Sequence, residues 1–193
     1  PLVRQDRERV QQVLSERRGD GTWADSVAGD MERHYSPGRT WEATARGLVH
    51  LLDPGDVLDI ASGDGVLAEL LAPRARAITC LDISERVVEA GRRRLERFDH
   101  VQFEIGDMHA LPVSDAAFDT ALLMHALTYT EQPAKVFGEA GRVLRTGGKL
   151  LAVTLQKHPH EKAVAPFNHL NLGFTRAQLE KLATDAGLDV LAC

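Results

Sequence analysis

The sequence predicts a doubly wound, mostly parallel α/β fold, on three observations. From about residue 55, short apolar runs alternate with segments of helical periodicity. The runs are nearly continuously apolar, the signature of strands covered on both faces in a parallel sheet. The first of them leads directly into a Gly-rich turn that opens a helix.

Taken in order, Val57-Leu58-Asp59-Ile60 is the first strand, and the turn after it feeds a helix over residues 66–72. Ala77-Ile78-Thr79-Cys80-Leu81 is the second strand. Ser84 caps the next helix, whose Val87, Val88, Gly91 and Leu95 recur every three or four residues. Residues 101–105 and 118–124 are strands three and four. A helix over residues 131–144 buries Val136, Phe137, Ala140, Val143 and Leu144, with Gly147-Gly148 as its stop. Residues 150–155 form strand five. Thr175-x-x-Gln178 is a capping box for a helix ending at Gly187, before a last run at residues 188–191.

Ahead of this pattern, residues 4–18 use strong helix formers but offer only Val10, Val13 and Leu14 as an apolar face, and Gly19-Asp20-Gly21 breaks them off. The expected division is a helical lead-in and link over residues 1–21 and one domain over 22–193. The 193 residues carry a net charge of −5, with 44% apolar and 26% charged residues. That balance gives no reason for direct nucleic-acid binding, and no apolar run approaches the ~20 residues that cross a bilayer. Two cysteines, Cys80 and Cys193, make no disulfide framework, which leads to the expectation of a reducing, cytoplasmic setting. The first residue is Pro, not Met, so a longer parent chain is expected.

In a doubly wound sheet the ligand lies beyond the carboxyl ends of the strands. The loop Ala61-Ser62-Gly63-Asp64-Gly65 is there, and its small residues permit close backbone approach. Gly63-x-Gly65-x-x-Ala68, with Asp82 following 19 residues after Gly63, also fits a dinucleotide site. Against that, Asp64 puts a carboxylate where a pyrophosphate would sit, Asp107 adds another acid at the end of strand three, and only 43 residues follow Leu150. A ligand with a ribose diol, an amine, an ammonium and a sulfonium suits those acids better, and S-adenosylmethionine is such a ligand.

The segments Val57-Leu58-Asp59-Ile60-Ala61-Ser62-Gly63-Asp64-Gly65, Leu81-Asp82-Ile83-Ser84, Gly106-Asp107-Met108-x-x-Leu111-Pro112, Phe118-Asp119 and Arg142-Val143-Leu144-Arg145-x-Gly147-Gly148-x-Leu150 resemble the successive motifs of class I S-adenosylmethionine-dependent methyltransferases. The resemblance covers roughly residues 30–192, and Ala61 departs from it in replacing the first loop glycine. It implies the strand order 3-2-1-4-5-7-6, with strand seven antiparallel. It further implies that Asp82 accepts both ribose hydroxyls, Asp107 the adenine amine, and that the Met108 N–H meets a ring nitrogen. Ile83 and Leu111 would pack the two adenine faces, and Ala61, Ser62 and Gly63 would receive the methionine ammonium, with Gly65 completing the turn. Asp59 would hold the loop's shape. Upstream, Arg39 would pair the methionine carboxylate, and Tyr35 would wall the sulfonium through a cation–π contact.

Arg92-Arg93-Arg94 with Arg86 and Arg97 reads as a solvated helix face paired by Glu85, Glu89 and Glu96, because consecutive helical residues point ~100° apart. His125 follows strand four, and His158, His160 and His169 follow strand five. His158-x-His160 with Glu161 and His169 has no Cys partner and no regular ligand spacing, so no metal is expected. His125 and His169 are the candidates for general base.

The expected function is transfer of a methyl group from S-adenosylmethionine, leaving S-adenosylhomocysteine, to a small-molecule acceptor. The alternative rests on resemblance to the methyltransferase-like half of bacterial ArsR-type regulator fusions, in which the domain senses either ligand and regulates transcription. An absent N-terminal DNA-binding domain, or a homodimer, would then be the partner. A nucleotide-sugar or NAD enzyme survives on the glycine pattern alone. Strand six would begin at Leu188, and with Cys193 the last residue no hairpin to strand seven follows, so the edge of strand five is expected to be open.

Overall fold

A computed structural model describes residues 27–29 and 45–193. The helix expected over 4–18, the Gly19-Asp20-Gly21 link and the Tyr35–Arg39 segment lie outside the described residues. After a 3-10 turn at Val49–Leu51, the chain forms β1 (Asp56–Ile60), α1 (Val66–Leu71), β2 (Ala77–Asp82), α2 (Glu85–Arg94), β3 (Val101–Ile105) and β4 (Phe118–Met124). It continues through α3 (Pro133–Val143), β5 (Leu144–Val153), α4 (Glu161–Val164) and α5 (Arg176–Asp185). The five strands form one sheet in the order β3-β2-β1-β4-β5, every neighbouring pair parallel.

The alternation of side chains along each strand divides the core into two layers. Leu58, Ile60, Leu81 and Leu123 meet Val136, Phe137 and Ala140 of α3, with α5 adding Leu179 and Leu182. Val57, Cys80, Ile78 and Leu122 meet Ala68 and Leu71 of α1 and Val88 of α2 on the other face. Both faces are therefore covered, which is why β1 contains four buried residues in succession. Both capping expectations hold. Ser84 Oγ accepts the Val87 N–H, and Thr175 and Gln178 bond reciprocally as a capping box.

Three sequence expectations need correction. The helix after strand four does not run to Gly147-Gly148. It ends at Val143, and Leu144 already pairs with Phe118, so both glycines lie inside β5. There the register jumps from Phe118↔Leu144 to Thr120↔Lys149, and Gly147 at φ 81° supplies the left-handed bend of the bulge. Residues 188–191 form no strand, because nothing pairs with them and Leu191 is 83% exposed. Strands six and seven are thus not formed among the described residues. Lastly, the arginines of α2 are not all solvated. The Arg94 side chain is only 14% exposed and bridges Glu69 at 3.0 Å and Asp64 at 3.5 Å.

At the amino ends of the strands, Arg76 and Arg145 each contact both Asp56 and Asp119 at 2.6–3.0 Å. This network ties β1 to β4 at the end of the sheet opposite the ligand loops. Among the described residues, no helix is long and apolar enough to cross a membrane.

Candidate functional site

A cavity of about 430 Å³ opens at the carboxyl ends of the strands. Its walls come from the ends of β1 (Ala61, Gly63), β2 (Asp82, Ile83) and β3 (Gly106, Asp107, Met108), and from His125 and Tyr129 beyond β4. Phe167 and Asn168, after α4, close the far side. The strand order explains the place: β1 sends its crossover toward β2 while β4 lies on its other side, so the loops diverge and leave a crevice.

The β1 loop is shaped by its backbone. Ala61 stands at φ 54° and Gly63 at φ 59°, both left-handed. Glycine adopts that region freely and alanine only with strain, so Ala61 in place of the first loop glycine strains the turn. Ser62 donates its N–H to the Leu81 carbonyl at 3.0 Å and does not line the cavity. Gly65 caps α1 at φ 79°, and a Cβ there would lie 2.7 Å from the Phe103 ring, so it serves packing beneath the loop.

The acids occupy four different situations. Asp82 lines the cavity and accepts the Gly63 N–H at Oδ2 and the Ser84 N–H at Oδ1, both at 3.0 Å, which locks it between two loops. Asp107 lines the cavity, and its pKa is lowered chiefly by the His109 backbone N–H and then by the His109 ring. Asp64 turns away from the crevice: it is fully buried, accepts the Gly29 N–H at 3.0 Å and pairs with Arg94. Asp59 is 1% exposed, and among the described residues neither of its carboxylate oxygens has a hydrogen-bond partner. Burial, and then the nearby Asp82 charge, push its pKa up to about 7. Hydrogen bonds from Asp59 therefore do not hold the loop; Asp82 and the Ser62–Leu81 bond do.

Two other expectations change place. Ile83 forms cavity wall, but Leu111 is buried in the core and absent from the wall. Glu139 accepts the Leu111 N–H at 2.7 Å and Arg142 donates to its carbonyl at 3.1 Å, drawing it onto α3. His125 does line the cavity, at φ 60° in the turn leaving β4. His169 does not. It stacks edge-on behind Tyr129 at 5.2 Å and against Phe167 at 6.0 Å. Burial, then His158 and His125, lower its pKa. His158 and His160 stack on one another at 5.6 Å, and no metal-ligating group of three or more is gathered among the described residues.

Sequence reasoning missed several wall residues, among them His109, Tyr129 and Phe167. His109 sits two residues after Asp107, a spacing that invites a side-chain turn, and that signal was readable. Tyr129 and Phe167 carried none, since only the fold brings their loops together. Among the described wall residues, the charged side chains other than histidine are both carboxylates.

Residues 58–152 match the methyltransferase domain family. An uncharacterized 37.1 kDa protein in transposon TN4556 of Streptomyces fradiae is 35% identical over 154 residues, spanning 71% of this chain and 44% of that protein. The demethylmenaquinone methyltransferase of Tropheryma whipplei is 31% identical over 144 residues, 74% of this chain and 58% of that one. The chain spans about half the length of these curated relatives. The geranyl diphosphate C-methyltransferase of Streptomyces coelicolor, solved with Mg2+, geranyl diphosphate and S-adenosylhomocysteine, superimposes with a TM-score of 0.65. That pair is 21% identical over 77% of this chain and 59% of the other, a likeness of fold.

Proposed function

We propose that the chain is a class I, S-adenosylmethionine-dependent methyltransferase, a reading supported by the match of residues 58–152 to the methyltransferase domain family and by the sheet order, and that it methylates a small, largely apolar acceptor. The observation that carries this reading is the cavity wall. Its charged groups apart from histidine are carboxylates, its loop residues are small, and its volume suits a nucleoside-sized ligand with room beside it. A sulfonium and an ammonium fit such a wall; a pyrophosphate does not.

Asp82, fixed by two backbone donors, accepts the two ribose hydroxyls in this reading. Asp107 accepts the adenine amine, the Met108 N–H meets the ring, and Ile83 covers one face. Tyr35 and Arg39, from outside the described residues, complete the methionine end in this reading. When bound, the sulfonium supplies an already activated methyl group, so the chain's own task is alignment and exclusion of water. Tyr129 and Phe167 form the apolar wall of the acceptor side, and an imidazole nitrogen of His125 takes the acceptor's proton where one is released. His169 stands behind that wall and supports Tyr129.

The test is calorimetry with S-adenosylmethionine, S-adenosylhomocysteine and NAD, followed by turnover of methyl-labelled cofactor against apolar acceptors, quinols included. Label appearing in an acceptor supports the proposal. Preference for NAD, or tight S-adenosylhomocysteine binding with no turnover on any acceptor, would count against it; the second result would favour the sensor.

A further inference from the structure

We propose that His109 is a positioning residue which, by clamping the Asp107 carboxylate, makes the pocket select an adenine base over a hypoxanthine base. The inference rests on the reading that the cofactor's base lies at Asp107.

The clamp is a chain of three side chains. Asp107 Oδ1 accepts both the His109 backbone N–H at 2.9 Å and the ring Nδ1 at 2.6 Å. An ionised carboxylate has no proton to give, so Nδ1 carries the hydrogen. The other ring nitrogen, Nε2, lies 2.6 Å from Thr130 Oγ1. That hydroxyl also accepts the Gln132 N–H at 2.8 Å. The imidazole is thereby pinned at both nitrogens.

The far post of the clamp is rigid. Thr130 is 1% exposed, and its carbonyl accepts the Asn171 side-chain amide at 3.0 Å. Asp107 itself is different: its side chain is 50% exposed on a loop, a place where an unclamped carboxylate turns freely. Both bonds from His109 fall on Oδ1, so Oδ2 keeps its full capacity to accept. A fixed acceptor rewards the adenine amine, which donates. It penalises hypoxanthine, whose carbonyl at the same position presents lone pairs to lone pairs.

The experiment uses the full chain and two probes, S-adenosylhomocysteine and S-inosylhomocysteine, titrated by calorimetry into the parent protein, His109→Asn and His109→Gln. The Asn amide can occupy the place of Nδ1 and keep the donor to Asp107. The Gln amide reaches the place of Nε2 and keeps Thr130 instead. The parent protein should prefer the adenine ligand by roughly 10- to 100-fold, the range of a hydrogen bond to a charged group. His109→Asn should retain most of that ratio, and His109→Gln should lower it about tenfold with its melting temperature within a few degrees. An unchanged ratio in His109→Gln, or equal loss in both variants, overturns the proposal. A parent protein that binds both probes alike removes Asp107 as the base acceptor and the proposal with it. A parent that binds neither brings down the cofactor reading itself, a separately recognisable result.

Discussion

Replacing Asp59 by Asn should make the protein more stable at pH 8 and remove part of its pH dependence. Asp59 is buried at 1% exposure with no partner for either oxygen among the described residues, and its pKa is raised to about 7 by burial and by Asp82. In the unfolded chain an aspartate titrates near ~3.9. Between about pH 4 and about pH 7 the folded protein therefore holds a proton that the unfolded chain has released. The stability linked to that proton is complete below about pH 4 and is lost as pH rises through about 7. About three pKa units correspond to about 4 kcal/mol, the cost of keeping the carboxylate ionised in place at high pH. An amide has no charge to bury but still has polar atoms without partners, so the expected gain at pH 8 is about 1–3 kcal/mol. Urea unfolding of both proteins at intervals from pH 5 to pH 8, with the slope of the transition compared, measures it. Two parallel stability curves, or a variant that is the weaker one at pH 8, would refute the reasoning.

Three further substitutions test neighbouring features. Asp82→Ala should weaken S-adenosylhomocysteine binding by about 1.5–3 kcal/mol, read by calorimetry, because it removes a charged acceptor and releases the Gly63 and Ser84 amides; unchanged affinity would displace the ribose from this residue. Ala61→Gly should raise the urea midpoint by up to about 1 kcal/mol of stability, since φ 54° strains an alanine; a fall would mean that the Ala61 methyl packs usefully in the wall. Gly91→Ala places a Cβ 2.2–2.8 Å from the Phe103 ring and should lower stability by about 1–3 kcal/mol in thermal or urea unfolding; a neutral result would show that the ring yields.

Much of the candidate site was legible in the sequence. Asp82, Asp107 and His125 stand out by their distance from strand ends, Met108 and Ile83 by the family resemblance, and all of them line the cavity. Parallel strands end at one edge of the sheet, so position along a strand is already position in space. The acids show the limit of that logic. Asp59, Asp64, Asp82 and Asp107 read alike as loop-edge carboxylates, yet one is orphaned in the core, one pairs with Arg94, and two face the crevice. Which of these an acid becomes depends on which face of the strand or turn it occupies and on what another element brings there.

By itself, the sequence determined the sheet. Apolar runs of strand length between amphipathic helices can bury themselves in few ways, and the capping residues Ser84 and Thr175 marked where α2 and α5 begin. Only the tertiary structure decided the early start of β5, where pairing of Leu144 with Phe118 overrode the glycine stop. It alone drew Leu111 onto α3 through Glu139 and Arg142. It also joined Asp107, His109 and Thr130 into one chain of hydrogen bonds. The physical reason is common to all three. Hydrophobic periodicity is a property of neighbours in the chain, whereas a hydrogen bond or a strand pair belongs to residues that only folding brings within 3 Å of each other.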